Sequence, residues 1–242
     1  MPTVTAIMQA RLGSSRLPGK VLLAVNGKTF LEHSFERLKL AQSVNQCVIA
    51  TTTKKGDDKI ADFCKNKGWA YSRGSETDVL DRYYQTALLY PADIIVRLTS
   101  DCPLLDPSII DQVVNIVKQD YPSVSYAANV LPPRHFPRGL DVEAFTFKAL
   151  ETAWKEAREE SQREHVTPFI NTQPDLFPQQ ALVNETDYSC HRWTLDTQED
   201  HDLLYKLLDQ QPEPTSWKNI LQLVEANPEW AKINAKIEQK KI

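Results

Sequence analysis

The chain predicts an α/β fold in which a mostly parallel sheet is covered by helices on both faces. Three observations carry that prediction. Short apolar runs alternate with amphipathic stretches through residues 1–122, the pattern of a sheet wound with crossover helices. The strand-length runs are apolar on both of their alternating faces, as strands buried on two sides are. The first of them ends directly in a basic, glycine-containing loop, the position at which open α/β sheets bind phosphorylated ligands.

Val4–Met8 reads as a buried strand and Leu31–Leu40 as a helix with Leu31, Phe35 and Leu38 on one face. Gln46–Thr52 is the second strand. Asp57 and Asp58 suit the opening of a helix over Lys59–Lys67, which Gly68 ends. Trp69–Ser72 is a short third strand, and Asp78–Leu89 a helix with Leu80, Tyr84 and Leu88 on one face. Asp93–Leu98 is an apolar, central strand, and Pro107 opens a helix over Ser108–Gln119. Beyond about residue 122 the alternation changes. Val124–Ala128 and Val142–Phe145 read as strands around the turn at Pro132-Pro133, followed by helices at Lys148–Glu159 and His165–Asn171. Gln180–Val183 and Arg192–Leu195 return to the sheet, and His201–Asp209 and Trp217–Asn227 are helices. There is no internal repeat, low-complexity tract or flexible linker. The expected organisation is one domain over residues 1–242, with a β-rich insertion around 124–180.

Of 242 residues, 41% are hydrophobic and 25% charged, enough for a buried core under an ordinary surface. The net charge of −4 argues against nucleic acid or an anionic membrane as the partner. A cationic loop in an acidic chain points instead to a small anionic ligand. Cys47, Cys64, Cys102 and Cys190 form no CxxC pair, and no Cys/His group has zinc spacing. With neither a signal peptide nor an apolar run of membrane length, the expectation is a cytoplasmic protein with reduced thiols.

The loop Gln9-Ala10-Arg11-Leu12-Gly13-Ser14-Ser15-Arg16-Leu17-Pro18-Gly19-Lys20 holds three cations, two serines and two glycines from Arg11 onward. It is not a P-loop, because five residues separate Gly13 from Gly19 and Val21 follows Lys20. Nor is it GxGxxG. It is either a solvated basic turn or a phosphate cradle of two guanidiniums and one ammonium.

Two aspartates follow apolar segments. Asp101 lies just past the strand ending near Leu98, where a hard oxygen donor suits Mg²⁺ on a nucleotide phosphate. Asp106, before Pro107, fits a helix cap. Asp196 follows Arg192-Trp193-Thr194-Leu195. It suits a helix N-cap, as Thr197 does, and equally a metal ligand beside Asp101. In Arg138-Gly139-Leu140-Asp141-Val142-Glu143, alternation puts Asp141 and Glu143 on one strand face. Two like charges there either face solvent or bind hydroxyls and cations in a site. Arg138 suits a substrate carboxylate, whereas a lone His165 reads as a surface or capping residue. Gly74 precedes a polar turn that can approach a base or ribose, with Ser75 or Thr77 as a helix cap.

These segments together resemble the acylneuraminate/Kdo cytidylyltransferases, the enzymes that make CMP-activated acidic sugars, and within them the SpsF-type branch of spore-coat polysaccharide biosynthesis. The segments are QARLGSSRLPGKVL, ATTTKKGDDKIADF, RGSETDVLDRYYQ, VRLTSDCPLLDPSIID, PRGLDVEAF, REHVTPFI and RWTLDTQEDHDLL. They cover nearly the whole chain in order. The resemblance implies a Rossmann-like nucleotide-sugar transferase fold with a dimerising insertion, and a homodimer. It implies that Arg11, Gly13, Ser14, Arg16 and Lys20 hold CTP phosphates, with Arg11, Lys20 and Asp101 catalytic, and that Asp101 and Asp196 carry Mg²⁺. Gly74, Ser75 and Asp78 would lie near the nucleoside, and Arg138, Asp141 and Glu143 would face an acidic or deoxy sugar. Ser100 departs from the branch, which usually has Gly before the metal aspartate. The expected reaction is transfer of CMP from CTP to a sugar hydroxyl with release of pyrophosphate. A glycosyltransferase would need a DxD motif, which Ser100-Asp101-Cys102 does not supply. A non-catalytic nucleotide-binding subunit would not need both aspartates.

Overall fold

The computed structural model describes residues 1–211 and 213–238. In chain order the strands are β1 (Val4–Gln9), β2 (Ala24–Val25), β3 (Lys28–Thr29), β4 (Gln46–Thr52), β5 (Tyr71–Gly74), β6 (Ile94–Thr99), β7 (Tyr126–Ala128), β8 (Glu143–Thr146) and β9 (Gln179–Ala181). The helices are α1 (Phe30–Leu38), α2 (Asp58–Lys67), α3 (Val79–Leu89), α4 (Pro107–Gln119), α5 (Phe147–Glu156), α6 (Glu160–His165), α7 (Pro168–Asn171), α8 (Gln198–Gln210) and α9 (Trp217–Ala226).

Seven strands form one sheet in the order β5-β4-β1-β6-β8-β7-β9, and β2 and β3 form a separate hairpin. The first four neighbours are parallel, whereas β8 runs antiparallel to both β6 and β7. Alternation along the central strands divides the core in two. Val4, Ala6 and Met8 of β1 and Ile94, Val96 and Leu98 of β6 pack with α1, α4, α8 and α9. Ile7 and Ile95 point the other way and pack with α3, α5 and α7. Each such fully buried Val, Ile, Leu or Met side chain contributes about 1.5–3 kcal/mol, so both helical layers are held firmly to the sheet.

The mostly parallel α/β architecture is as expected, and the 124–180 region adds β7, β8 and β9 to the same sheet along with α5, α6 and α7. Three local expectations are corrected. The helix expected over Lys148–Glu159 ends at Glu156, and a new one starts at Glu160 behind a capping box made by Glu159 and Gln162. The helix expected over His165–Asn171 is interrupted at Val166, whose φ of 72° breaks α6 before Pro168 opens α7. Arg192–Leu195 forms no strand; it makes an isolated bridge between Arg192 and Arg138 and packs Trp193 and Leu195 into the core.

Candidate active site

β1 and β6 are neighbours, with Gln9 opposite Thr99 at their carboxyl ends. Both chains leave the sheet there, so the loop after β1 faces the turn after β6. The loop is fastened rather than free. Buried Asp57 accepts the Leu12 N–H at 2.7 Å and is itself held by the Thr52 hydroxyl. The Leu12 carbonyl accepts the N–H groups of Ser14 and Gly19, at 2.9 and 3.1 Å. Gly19, at a φ of +71°, then starts a 3-10 turn, Lys20–Leu22, that turns Lys20 inward. Glycine adopts that left-handed conformation at little steric cost.

Lys20 donates to Asp101 at 3.1 Å and to Asp196 at 2.8 Å. The two aspartates are 95 residues apart, and the backbone explains how they meet. The Asp101 carbonyl accepts the Leu195 N–H at 2.8 Å and the Thr194 hydroxyl at 3.2 Å. This delivers Asp196 to the end of β6. Thr197, not Asp196, caps α8, so the Asp196 carboxylate is left to the site. It also meets Arg16 at 3.2 Å and Arg192 at 2.9 Å. Arg192 is fixed in turn by buried Asp200.

Electrostatics follow from this packing. Burial, the largest single influence, would raise the Asp101 pKa, but the Lys20 ammonium together with the Thr99 and backbone hydrogen bonds outweighs it and holds the carboxyl below its ordinary value. Burial would lower Lys20, yet Asp101 and Asp196 together raise it. Burial and the neighbouring Asp101 charge push the Cys102 thiol well up. The Asp101 carboxylate is therefore ionised, the lysine is charged, and the Cys102 thiol is inert at neutral pH.

Two cavities meet at this point. One, of about 400 Å³, is walled by the basic loop, with Arg11, Gly13, Ser14, Arg16 and Lys20, and by Arg82 and Ser100. The other, of about 670 Å³, reaches Arg97, Arg134, Arg138, Asp141, Glu143, His165 and Thr167. Gln9, Thr99, Asp101 and Asp196 belong to both. In the larger cavity Arg97 pairs with Glu143, which also accepts from Tyr126 and Thr167 at 2.5 and 2.7 Å. Arg134 forks onto Asp141 at 2.7 and 3.0 Å. The Arg138 guanidinium has no carboxylate partner among the described residues, and burial and the nearby Arg134 charge lower its pKa.

Of the residues singled out from sequence, the loop set, Asp101 and Asp196 converge on the smaller cavity, and Arg138, Asp141 and Glu143 on the larger. Gly74, Ser75 and Asp78 line neither. A Cβ on Gly74 would come within 2.9 Å of the Arg82 side chain, so this glycine makes room for Arg82. Ser75 accepts from the Asp78 N–H at 3.0 Å, and Asp78, rather than Ser75 or Thr77, caps α3. Asp78 also pairs with Arg163 of α6. Ser100 adopts no left-handed backbone, so its Cβ carries no conformational strain.

Sequence reasoning passed over Arg82, Gln9 and Arg97. Arg82 is 2% exposed, and its Nε, like Gln9 Oε1 and Arg97 Nε, is buried with no hydrogen-bond partner. An unpaired buried polar atom beside a cavity is costly unless a ligand satisfies it. Arg82 had a legible signal, since it shares the α3 face of Val79 and Thr86, both buried. His165, read as a surface or capping residue, instead lines the larger cavity.

The Lys20 ammonium is itself a cation held between two hard carboxylate donors, so the pair suits Mg²⁺ as well. No group of three or more Asp, Glu, His or Cys side chains is arranged for a metal among the described residues. An ion at Asp101 and Asp196 would therefore complete its shell with phosphate oxygens and water.

A Rossmann-like sheet with a cationic loop after β1 and paired aspartates at the strand ends defines a nucleotide-handling α/β protein. The chain belongs to the cytidylyltransferase family, whose model matches residues 5–242. It is 39% identical to an uncharacterized protein of Methanocaldococcus jannaschii, over 98% of this chain and 96% of that one. It is 30% identical to the spore coat polysaccharide biosynthesis protein SpsF of Bacillus subtilis, over 96% of this chain and 98% of that one. The structure of a cytidylyltransferase from Leptospira borgpetersenii superposes with a TM-score of 0.90 at 34% identity, covering 99% of both chains. No helix among the described residues is long and apolar enough to cross a membrane.

Proposed function

We propose that this cytidylyltransferase moves CMP from CTP to a hydroxyl of an acidic or deoxy sugar, releasing pyrophosphate, as a cytoplasmic homodimer in polysaccharide biosynthesis. One observation carries the reading: the two cavities share Asp101 and Asp196, so a nucleotide in one and a sugar in the other would meet there. Arg11, Arg16 and Lys20 bind the triphosphate, with Gly13 and Ser14 letting the loop close on it. Arg82 adds a buried positive charge to the same wall. The Arg138 guanidinium, without a carboxylate of its own, takes a sugar carboxylate, and Glu143 and Asp141 order their arginines around it.

In the reaction the sugar oxygen attacks the α-phosphorus in line, and the bond to the pyrophosphate oxygen breaks. Asp101, at the seam of the cavities, takes the hydrogen bond of the attacking hydroxyl and receives its proton. Lys20 and the loop arginines stabilise the charge that develops on the leaving pyrophosphate. Mg²⁺ at Asp101 and Asp196 would neutralise phosphate charge when bound.

A pyrophosphate-release assay with each of the four nucleoside triphosphates, across a panel of acidic and deoxy sugars, tests this. The expected result is release with CTP and at least one sugar acid. Release only with another nucleotide would sink the cytidylyl assignment. Tight CTP binding with no release for any sugar would favour a binding subunit.

A further inference from the structure

We propose that Lys20 is a resident placeholder for the metal. Its ammonium fills the cation position between Asp101 and Asp196 in the nucleotide-free protein and leaves when a triphosphate draws it away. The inference rests on the reading above that Asp101 and Asp196 carry the metal, and it goes further by making metal entry depend on the nucleotide.

Three features carry it. First, the Nζ lies 3.1 Å from one carboxylate and 2.8 Å from the other, in a side chain only 11% exposed. A divalent ion bound to both carboxylates would have to share those few ångströms with an ammonium, and the two would repel strongly. Second, the cations on Asp196 differ in their freedom to leave. Lys20 and Arg16 both belong to the loop after β1, and the Arg16 side chain is 42% exposed. Arg192 is locked by its two contacts to Asp200, both 2.9 Å. Third, the loop cations wall the smaller cavity, so a triphosphate there gives Lys20 and Arg16 new oxygens without taking them off the loop. Arg192 stays behind and keeps Asp196 aimed at the site. Nucleotide and metal thus enter as a coupled pair, each raising the other's affinity. Without nucleotide, the two carboxylates remain paired instead of repelling one another.

The test uses the full chain without nucleotide, titrated with Mn²⁺ and read by electron paramagnetic resonance. Lys20→Met should bind Mn²⁺ about tenfold more tightly than wild type, or better, because the competing charge is gone. Adding Asp101→Asn to Lys20→Met should abolish that gain. Metal-free calorimetry should show CTP binding weakened about tenfold by Lys20→Met. Equal Mn²⁺ affinity in wild type and Lys20→Met would overturn the proposal. If Lys20→Met does not fold, Lys20→Gln keeps a polar group between the carboxylates and is titrated in its place, with the same outcomes deciding. Failure of the cytidylyl reading is separate: CTP would not bind wild type, while the Mn²⁺ gain on removing Lys20 would still appear.

Discussion

Arg192 and Asp200 form a two-point ion pair, Nε to Oδ1 and Nη2 to Oδ2 at 2.9 Å each, with the Asp200 side chain wholly inaccessible to solvent. Asp200 also accepts the N–H groups of Asp196 and Thr197 at 3.1 Å and the Asn234 amide at 2.8 Å. One carboxylate therefore caps α8, anchors Arg192 and ties down the backbone of Asp196. Removing its charge leaves a buried guanidinium without its main partner, a loss of about 3–5 kcal/mol. Asp200→Asn should show a drop of that size in urea unfolding. A variant within about 1 kcal/mol of wild type would mean that the pair does not anchor the site.

The pair of Lys20 and Asp101 makes stability depend on pH at both ends of the scale. The Asp101 pKa is lowered on folding, because Lys20 and the Thr99 and backbone hydrogen bonds together outweigh the effect of burial. Its contribution is present above the unfolded pKa and lost as pH falls through the folded one. The Lys20 pKa is raised on folding, because the two aspartates outweigh burial. Its contribution is present below the unfolded pKa and lost as pH rises through the folded one. The result is a plateau across neutral pH that falls away below about pH 4 and above about pH 10. In Lys20→Met, Asp101 keeps its burial without its ammonium, so it gains stability on protonation. Scanning fluorimetry across that range should find the gap in Tm between wild type and Lys20→Met widest near neutrality and narrowing toward acid. A constant gap would contradict the ion-pair account.

Much of this arrangement was legible in the sequence, and the exceptions have physical causes. The apolar runs of β1, β4 and β6 and the amphipathic α1, α3 and α4 are local signals, so their order and the parallel sheet could be read directly. The loop cations were legible because their charges are adjacent in the chain. The meeting of Asp101 with Asp196 was legible only through the family resemblance, because it depends on the Asp101 carbonyl capturing the 194–195 segment, a contact with no local signature. The β2–β3 hairpin was missed although Asn26-Gly27, with φ values of 52° and 74°, is a strong turn signal. Its strands are two residues each, too short for alternation to register. Gly74 has a local structural reason that the sequence did not show: a Cβ there would come within 2.9 Å of the Arg82 side chain.

The four cysteines should separate cleanly by reactivity. Burial pushes the Cys47 thiol up to about 11 and the Cys64 thiol up to about 12. Cys102 is raised well above its ordinary value, by burial and then by Asp101, and Cys190 is exposed. The thiolate is the reactive form, so at about pH 8 a disulfide reagent such as DTNB should label Cys190 quickly and the other three only on unfolding. Mass spectrometry of the labelled native protein checks this. Rapid modification of Cys102 would mean that the seam between the two cavities is open to solvent far more than its packing allows.

Gly139 is where the larger cavity is most sensitive to a single methyl group. Its φ is +99°, which side-chain-bearing residues rarely adopt. A Cβ there would run into the Trp193 carbonyl and lie 2.8 Å from the Thr194 nitrogen. Those atoms belong to the segment that pairs with Arg138, through Arg138 N–H to the His191 carbonyl at 3.0 Å and Trp193 N–H to the Arg138 carbonyl at 2.7 Å. Gly139→Ala must therefore push the two segments apart, which strains the path that brings Asp196 to Asp101. Backbone strain and overpacking together should cost about 2–5 kcal/mol. Gly27→Ala is the matched control, because its φ is +74° but nothing lies within 4 Å of its Cβ. It meets the backbone penalty alone, about 1–2 kcal/mol. Urea unfolding of both variants separates the two effects. Equal losses would mean that the segments at 139 and 193 part easily, and that this contact does not set the position of Asp196.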